Sequence, residues 1–142
     1  MPFKHTRVIH PLFETHHRPV AEGGMTGTVT VTRGGGEGTW NPETMAYDYP
    51  ERTTVYTGIV RVQRQAAAEK PVRVGERQVI VRTYLVAFPA DAPELRINDE
   101  VTVAGVSDAD LPGLKLYMHD VWYGSLLWER DTVCQNTPYT TR

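Results

Sequence analysis

Residues 28–33 read Thr-Val-Thr-Val-Thr-Arg, with Val29 and Val31 alternating against Thr28, Thr30 and Thr32. A period of two in β-branched residues describes a strand with one buried face. Thr and Val together make up roughly a quarter of the chain, so the β bias is general. The run then meets Gly34, Gly35, Gly36 and Gly38, and the stretch up to Pro50 also holds Pro42. Glycine and proline at this density break a ladder, and residues 34–53 read as one long loop.

Alternation returns from Thr54 in TTVYTGIVRVQRQ, setting Val55, Thr57, Ile59 and Arg61 against Tyr56, Val60 and Val62, with a bend or bulge expected at Gly58. A polar stretch, AAAEKPVRVGE, leads into RQVIVRTYLVAFP, which reads as one long third strand forming an extended hairpin with the second. Strands are also expected over Glu100–Val106, Leu114–Trp122 and Leu127–Gln135. Six such strands predict a mainly β fold, a small antiparallel barrel with a long inter-strand loop and extended terminal arms. The expected boundaries are an N-terminal arm over 1–26, a barrel over 27–135 and a tail over 136–142. Helical signal is confined to the arm and to QRQAAAEK at Gln63–Lys70, barely two turns and marginal unless packed.

The 142 residues and 16.0 kDa suffice for one core without staples. A net charge of −2 argues against a surface that grips nucleic acid throughout. Cys134 is alone, which excludes an intrachain disulfide and a thiolate zinc cluster. MPFKHTRVIHPLF has no apolar run of leader length, and no window approaches a membrane span, so no membrane partner is expected.

Several residues invite a chemical reading. His5, His10, His16 and His17 are metal-ligand types, but adjacent His16 and His17 diverge on either kind of backbone, and no metal site is expected. The glycine run lacks both a GK-Ser/Thr ending and an ordered GxGxxG, which makes it a flexible loop rather than a phosphate cradle. Cys134 has no visible base, Ser107 and Ser125 sit in turn-like contexts, and Asp108 and Asp110 in SDADLPG read as an Asx turn. No catalytic residue and no cofactor is expected. Arg61, Arg64, Lys70, Arg73, Arg77 and Arg82 concentrate positive charge on the hairpin, whereas the preceding loop is acidic. Trp40, Tyr47, Tyr49, Trp122, Tyr123 and Trp128 stand at loops or strand ends, suited to filling core ends or anchoring an interface.

The order of pieces from Thr28 to Gln135 resembles small head-to-tail connector proteins of tailed phages, especially those of actinobacterial hosts. The pieces are the TVTVTR strand, a glycine-rich loop into TWNPET, YTGIVRVQ, TYLVAFP, INDEVTV, DADLPGLKLYMHDV and GSLLWERDTVCQ. The resemblance implies a head completion protein, or stopper, a virion protein whose copies form a six-fold ring. Its partners would be the portal or adaptor above, the tail terminator or first tail protein below, and packaged double-stranded DNA passing through non-specifically. It also implies that a long loop projects into the channel; the matching positions include Gly34, Gly35, Gly36, Glu37, Glu43, Asp48 and Glu51. Subunit or partner contacts are expected at Arg64, Lys70, Arg73, Arg77, Trp122, Tyr123 and Tyr139. Adaptor and tail completion proteins share this strand patterning. From another class, a barrel binding single-stranded nucleic acid through hairpin arginines and exposed aromatics fits the same residues.

Overall fold

A computed structural model describes residues 9–34, 38–65, 69–106 and 108–139, with no statement on the side chains of Lys70, Val72, Val74 and Val79. Among the described residues are one helix, α1 (Phe13–Gly23), and ten strands. The strands are β1 (Gly27–Gly34), β2 (Thr39–Asn41), β3 (Ala46–Asp48), β4 (Arg52–Arg64), β5 (Lys70–Val74), β6 (Arg77–Val81), β7 (Thr83–Pro89), β8 (Glu100–Gly105), β9 (Lys115–Val121) and β10 (Glu129–Gln135).

Six of them close a barrel in the order β1-β4-β7-β10-β9-β8, with β8 pairing back onto β1 and every pair antiparallel. The alternation in β1 decides which side faces inward: Val29 and Val31 are fully buried between two neighbouring strands. Val60, Val86, Phe88, Val101, Val103, Leu116, Met118 and Cys134 complete a filled interior, as a barrel this small requires. Thr83, Asp99, Glu100 and Thr132 are the buried polar residues among those described, and the Thr132 hydroxyl donates to Val86 O at 2.8 Å.

Several sequence expectations need correction. Residues 34–53 are not a plain loop, because β2 and β3 form a three-rung ribbon inside them. Trp40 faces Tyr47 across it with ring centroids 5.1 Å apart, a cross-strand aromatic pair that offsets the turn residues around it. β4 starts at Arg52, two residues early, since Arg52 and Thr53 pair with Gly34 and Arg33. The register shift falls at Val55 rather than Gly58, so Val55 and Tyr56 both reach the core instead of opposing each other. Gly58 stays in register and leaves room for a ring: a Cβ there would lie 2.7 Å from the Tyr56 hydroxyl.

The long third strand is two strands, broken at Arg82, with β6 pairing only with β5 and β7 joining the barrel. The polar stretch therefore contains a strand, and the second ribbon, β5–β6, extends the β4–β7 pair outward. QRQAAAEK is not a helix among its described residues: Gln63 and Arg64 end β4, Lys70 opens β5, and Ala66–Ala68 lie outside the described residues. Ladder pairing at both ends outweighs a helix propensity spread over two turns.

In the arm, α1 has no side-chain N-cap and carries Pro19 internally, so docking must hold it. Glu14 accepts from Leu127 N–H at 2.9 Å, Arg18 donates to Leu127 O at 3.3 Å, and Phe13 meets Trp128 edge-on. The tail is also fastened: Asn98 accepts from Tyr139 N–H at 2.7 Å and donates to Tyr139 O at 2.9 Å, mimicking one rung of a ladder.

Candidate functional site

Strand β4 organises the charged features, because the two ribbons adjoin its opposite ends. β2–β3 emerges where Gly34 pairs with Arg52, and β5–β6 lies beyond the end where Gly27 pairs with Val60. Twelve residue steps separate Arg52 from Arg64, which is about 40 Å of strand.

At the first end both roots of the ribbon are clamped. Arg33 donates through Nε and Nη2 to the two carboxylate oxygens of Asp99, each at 2.8 Å, and through Nη2 to Glu94 O at 2.9 Å. Asp99 is fully buried and also accepts from Arg96 N–H at 2.9 Å. These hydrogen bonds hold the Arg33 guanidinium above its ordinary pKa. Arg52 pairs with Glu100, which Lys115 approaches to 3.6 Å. Arg33, Arg52, Asp99 and Glu100 line a cleft of about 850 Å³ with Arg96, Asn98, Tyr117 and Pro138. Gly34 closes β1 with φ +99°, and a Cβ there would press to 3.0 Å from Glu51 O, so the exit into the ribbon requires glycine.

The ribbon has two unlike faces. Trp40 and Tyr47 share one, and Tyr49 leans on Tyr47 at 6.5 Å. Thr39, Asn41 and Asp48 share the other, where Asn41 donates to Asp48 at 2.9 Å and accepts from Glu43 N–H, fixing the turn. Glu43, Asp48 and Glu51 are all exposed, while Gly35, Gly36 and Glu37 lie outside the described residues. The structure thus gathers the described residues expected of a channel loop on or beside one acidic, aromatic projection.

At the other end Arg64 makes a two-pronged pair with Glu69, at 2.6 and 2.9 Å, which lowers the Glu69 carboxyl below its usual range. Arg73 and Arg77 stand exposed on β5–β6, and the Lys70 side chain lies outside the description. The remaining expected contact residues are not on this ribbon. Trp122 and Tyr123 follow β9; the Trp122 indole donates to Asp120 at 3.0 Å, and Arg130 lies 4.6 Å over the Tyr123 ring. Tyr139 sits edge-on to His119. The expected interface set is therefore spread over three places, since strand connections carry Trp122 and Tyr123 away from the β5–β6 turn.

Among the described residues the catalytic-type side chains are dispersed or satisfied; Ser107 lies outside them. Cys134 is fully buried, and burial pushes its thiol up to about 12, far from a nucleophile's range. His17 stacks on Phe13 at 3.9 Å, His10 on His16 at 6.0 Å, and His119 contacts Thr137 O; His5 lies outside the described residues. Asp110 N–H donates to Asp108 at 3.0 Å, the Asx turn read from sequence. Among the described residues no group of three His, Cys, Asp or Glu is placed to hold a metal ion. No described helix is long and apolar enough to cross a membrane.

Sequence reasoning missed one charged cluster on the barrel wall. Arg61 of β4 and Asp131 of β10 both lie across from Ala87 of β7, and Arg61 donates to Glu129 at 2.9 Å. Arg61 Nε, Glu129 Oε2 and Asp131 Oδ1 are buried without partners. Burial, then the neighbouring Glu129 carboxylate, pushes Asp131 up to about 6. A strand pattern of Glu and Asp two apart marks a shared face, but the cation between them is 68 residues distant.

Residues 17–135 match DUF6093, a family of unknown function, and the chain belongs to that family. No curated protein and no solved structure matches it.

Proposed function

We propose that this chain is a structural, non-enzymatic virion protein of a tailed-phage neck: a stopper whose copies form a ring between the portal or adaptor and the tail. The observation that carries this reading is the pairing of a sealed barrel with a clamped acidic ribbon. The barrel interior is filled by Phe88, Leu116, Met118 and the valines, so any passage for DNA must lie between copies. The acidic ribbon is anchored by Arg33–Asp99 and Arg52–Glu100, which lets it project as a defined element. Carboxylates such as Glu43, Asp48 and Glu51 repel phosphates, so a channel lined by them obstructs DNA sterically without gripping it during ejection.

The strand pieces that resemble connectors, TWNPET on the β2–β3 ribbon apart, supply the six strands of one barrel, which supports treating them as one unit. The stopper layer is preferred to adaptor or tail completion because the glycine-rich excursion of residues 34–53 is the part of the pattern tied to gating. The competing single-stranded nucleic-acid reading draws on exposed Arg73 and Arg77. Its weakness is that three of the exposed aromatics, Trp40, Tyr47 and Tyr49, stand on the acidic ribbon, where a base could stack only beside repelling carboxylates, and the others, Trp122, Tyr123 and Tyr139, are not on the arginine-bearing ribbon.

The test is removal of the gene from its parent genome, followed by electron microscopy of particles and measurement of DNA held in the heads. Heads that package DNA, leak it and carry no tails are expected. Normal virions would refute the proposal, and salt-dependent binding of labelled oligonucleotide at micromolar protein would then favour the nucleic-acid reading.

A further inference from the structure

The two ribbons carry surface that the described chain leaves uncovered. Each is an isolated pair of strands, marginal in water without further packing. On β2–β3 and its flanks, Trp40 is 50% exposed, Met45 77%, Tyr47 56% and Tyr49 72%, a concentration of apolar surface on one small projection. On β5–β6 the rungs Pro71–Ile80 and Arg73–Gln78 share a face, all four residues are exposed, and Ile80 is 57% so.

These two faces match in chemistry. An aromatic face takes an arginine over its rings and packs against proline and isoleucine. Around them the prevailing signs are opposite: Glu43, Asp48 and Glu51 against the single Arg52 at the first ribbon, and Arg73, Arg77 and Arg82 against the single turn residue Glu76 at the second. Within one chain the roots stand at opposite ends of β4, Arg52 and Arg64, about 40 Å of strand apart, so the contact belongs between copies. A contact joining unlike patches on identical copies is heterologous, and its repetition closes a ring when the rotation fits.

We infer that the aromatic face of the β2–β3 ribbon in one copy docks on the Pro71–Arg73–Gln78–Ile80 face of the β5–β6 ribbon in the next. The inference rests on the ring reading above and adds the partner surface to it. Docking by the aromatic face leaves the opposite face, with Asp48, turned away from the contact and free to line a channel. It also covers arginine that would otherwise be open to DNA phosphates, which keeps the passage slippery.

The test uses particles carrying a Met45→Cys, Gln78→Cys double variant treated with a short thiol-to-thiol cross-linker; Cys134 is buried and does not react. Denaturing gels should show a ladder of multiples of this chain from the double variant and none from either single variant. Adding Arg73→Glu should reduce the ladder about tenfold, the effect of one lost charged contact at an interface. Particles that contain the protein but yield only monomer, or only bands joined to a different neck protein, overturn the docking while leaving the ring reading standing. Particles made with the unaltered chain that lack the protein overturn both.

Discussion

The ribbons β2–β3 and β5–β6 share a construction, two antiparallel strands inserted between barrel strands, yet differ in almost everything they present. The first is short, aromatic and acidic, and its roots are held by Arg33–Asp99 and Arg52–Glu100. The second has five rungs, an exposed arginine pair, and a root stiffened by Arg64–Glu69. Among their described side chains, neither adds a residue to the buried core. The barrel supplies stability and the ribbons supply surface, so changes in the two should separate cleanly into unfolding and loss of assembly.

The largest expected effect lies in the barrel. Phe88→Ala removes a fully buried ring that Tyr56 meets edge-on, and should cost about 3–5 kcal/mol in denaturant unfolding. Next is the clamp. Asp99→Ala strands the Arg33 guanidinium and Arg96 N–H and should cost about 2–3 kcal/mol, less than a wholly buried pair because Arg33 is partly exposed. Smaller is the Asp131 effect. Its carboxyl is raised above the unfolded value, so its stabilising contribution is complete below about pH 4 and is lost as pH rises through about 6. Urea melts from pH 4 to 8 should show Asp131→Asn flattening this decline and stabilising the fold at pH 7. Smallest is Trp40→Ala on the exposed ribbon, expected to shift unfolding by less than about 0.5 kcal/mol.

The barrel was legible because its strands declare themselves locally. The Val29 and Val31 alternation states which side is buried, and the apolar run from Tyr84 to Phe88 marks a strand buried on nearly every residue. The ribbons were not: β2 and β3 are three residues each, and what pairs them is the match of Trp40 with Tyr47 across a turn that looks like a strand breaker. The broken third strand was hidden because the alternation runs unchanged through Arg82, while its pairing partner changes there from β5 to β10 and β4. The clamp was illegible for another reason. Arg33 and Asp99 are 66 residues apart and Arg52 and Glu100 are 48 apart, and only closure of β1 against β8 brings them together. The acidic and basic segments were visible as composition, but their placement at opposite ends of β4 follows from register.

The measurement that bears most directly on this division is to excise each ribbon in turn, replacing the segment between Gly34 and Arg52, or between Gln65 and Arg82, with a short glycine turn. Both shortened chains should melt cooperatively close to the intact protein, and neither should yield tailed particles that retain DNA. A shortened chain that folds and fully restores DNA-filled, tailed particles would contradict the account.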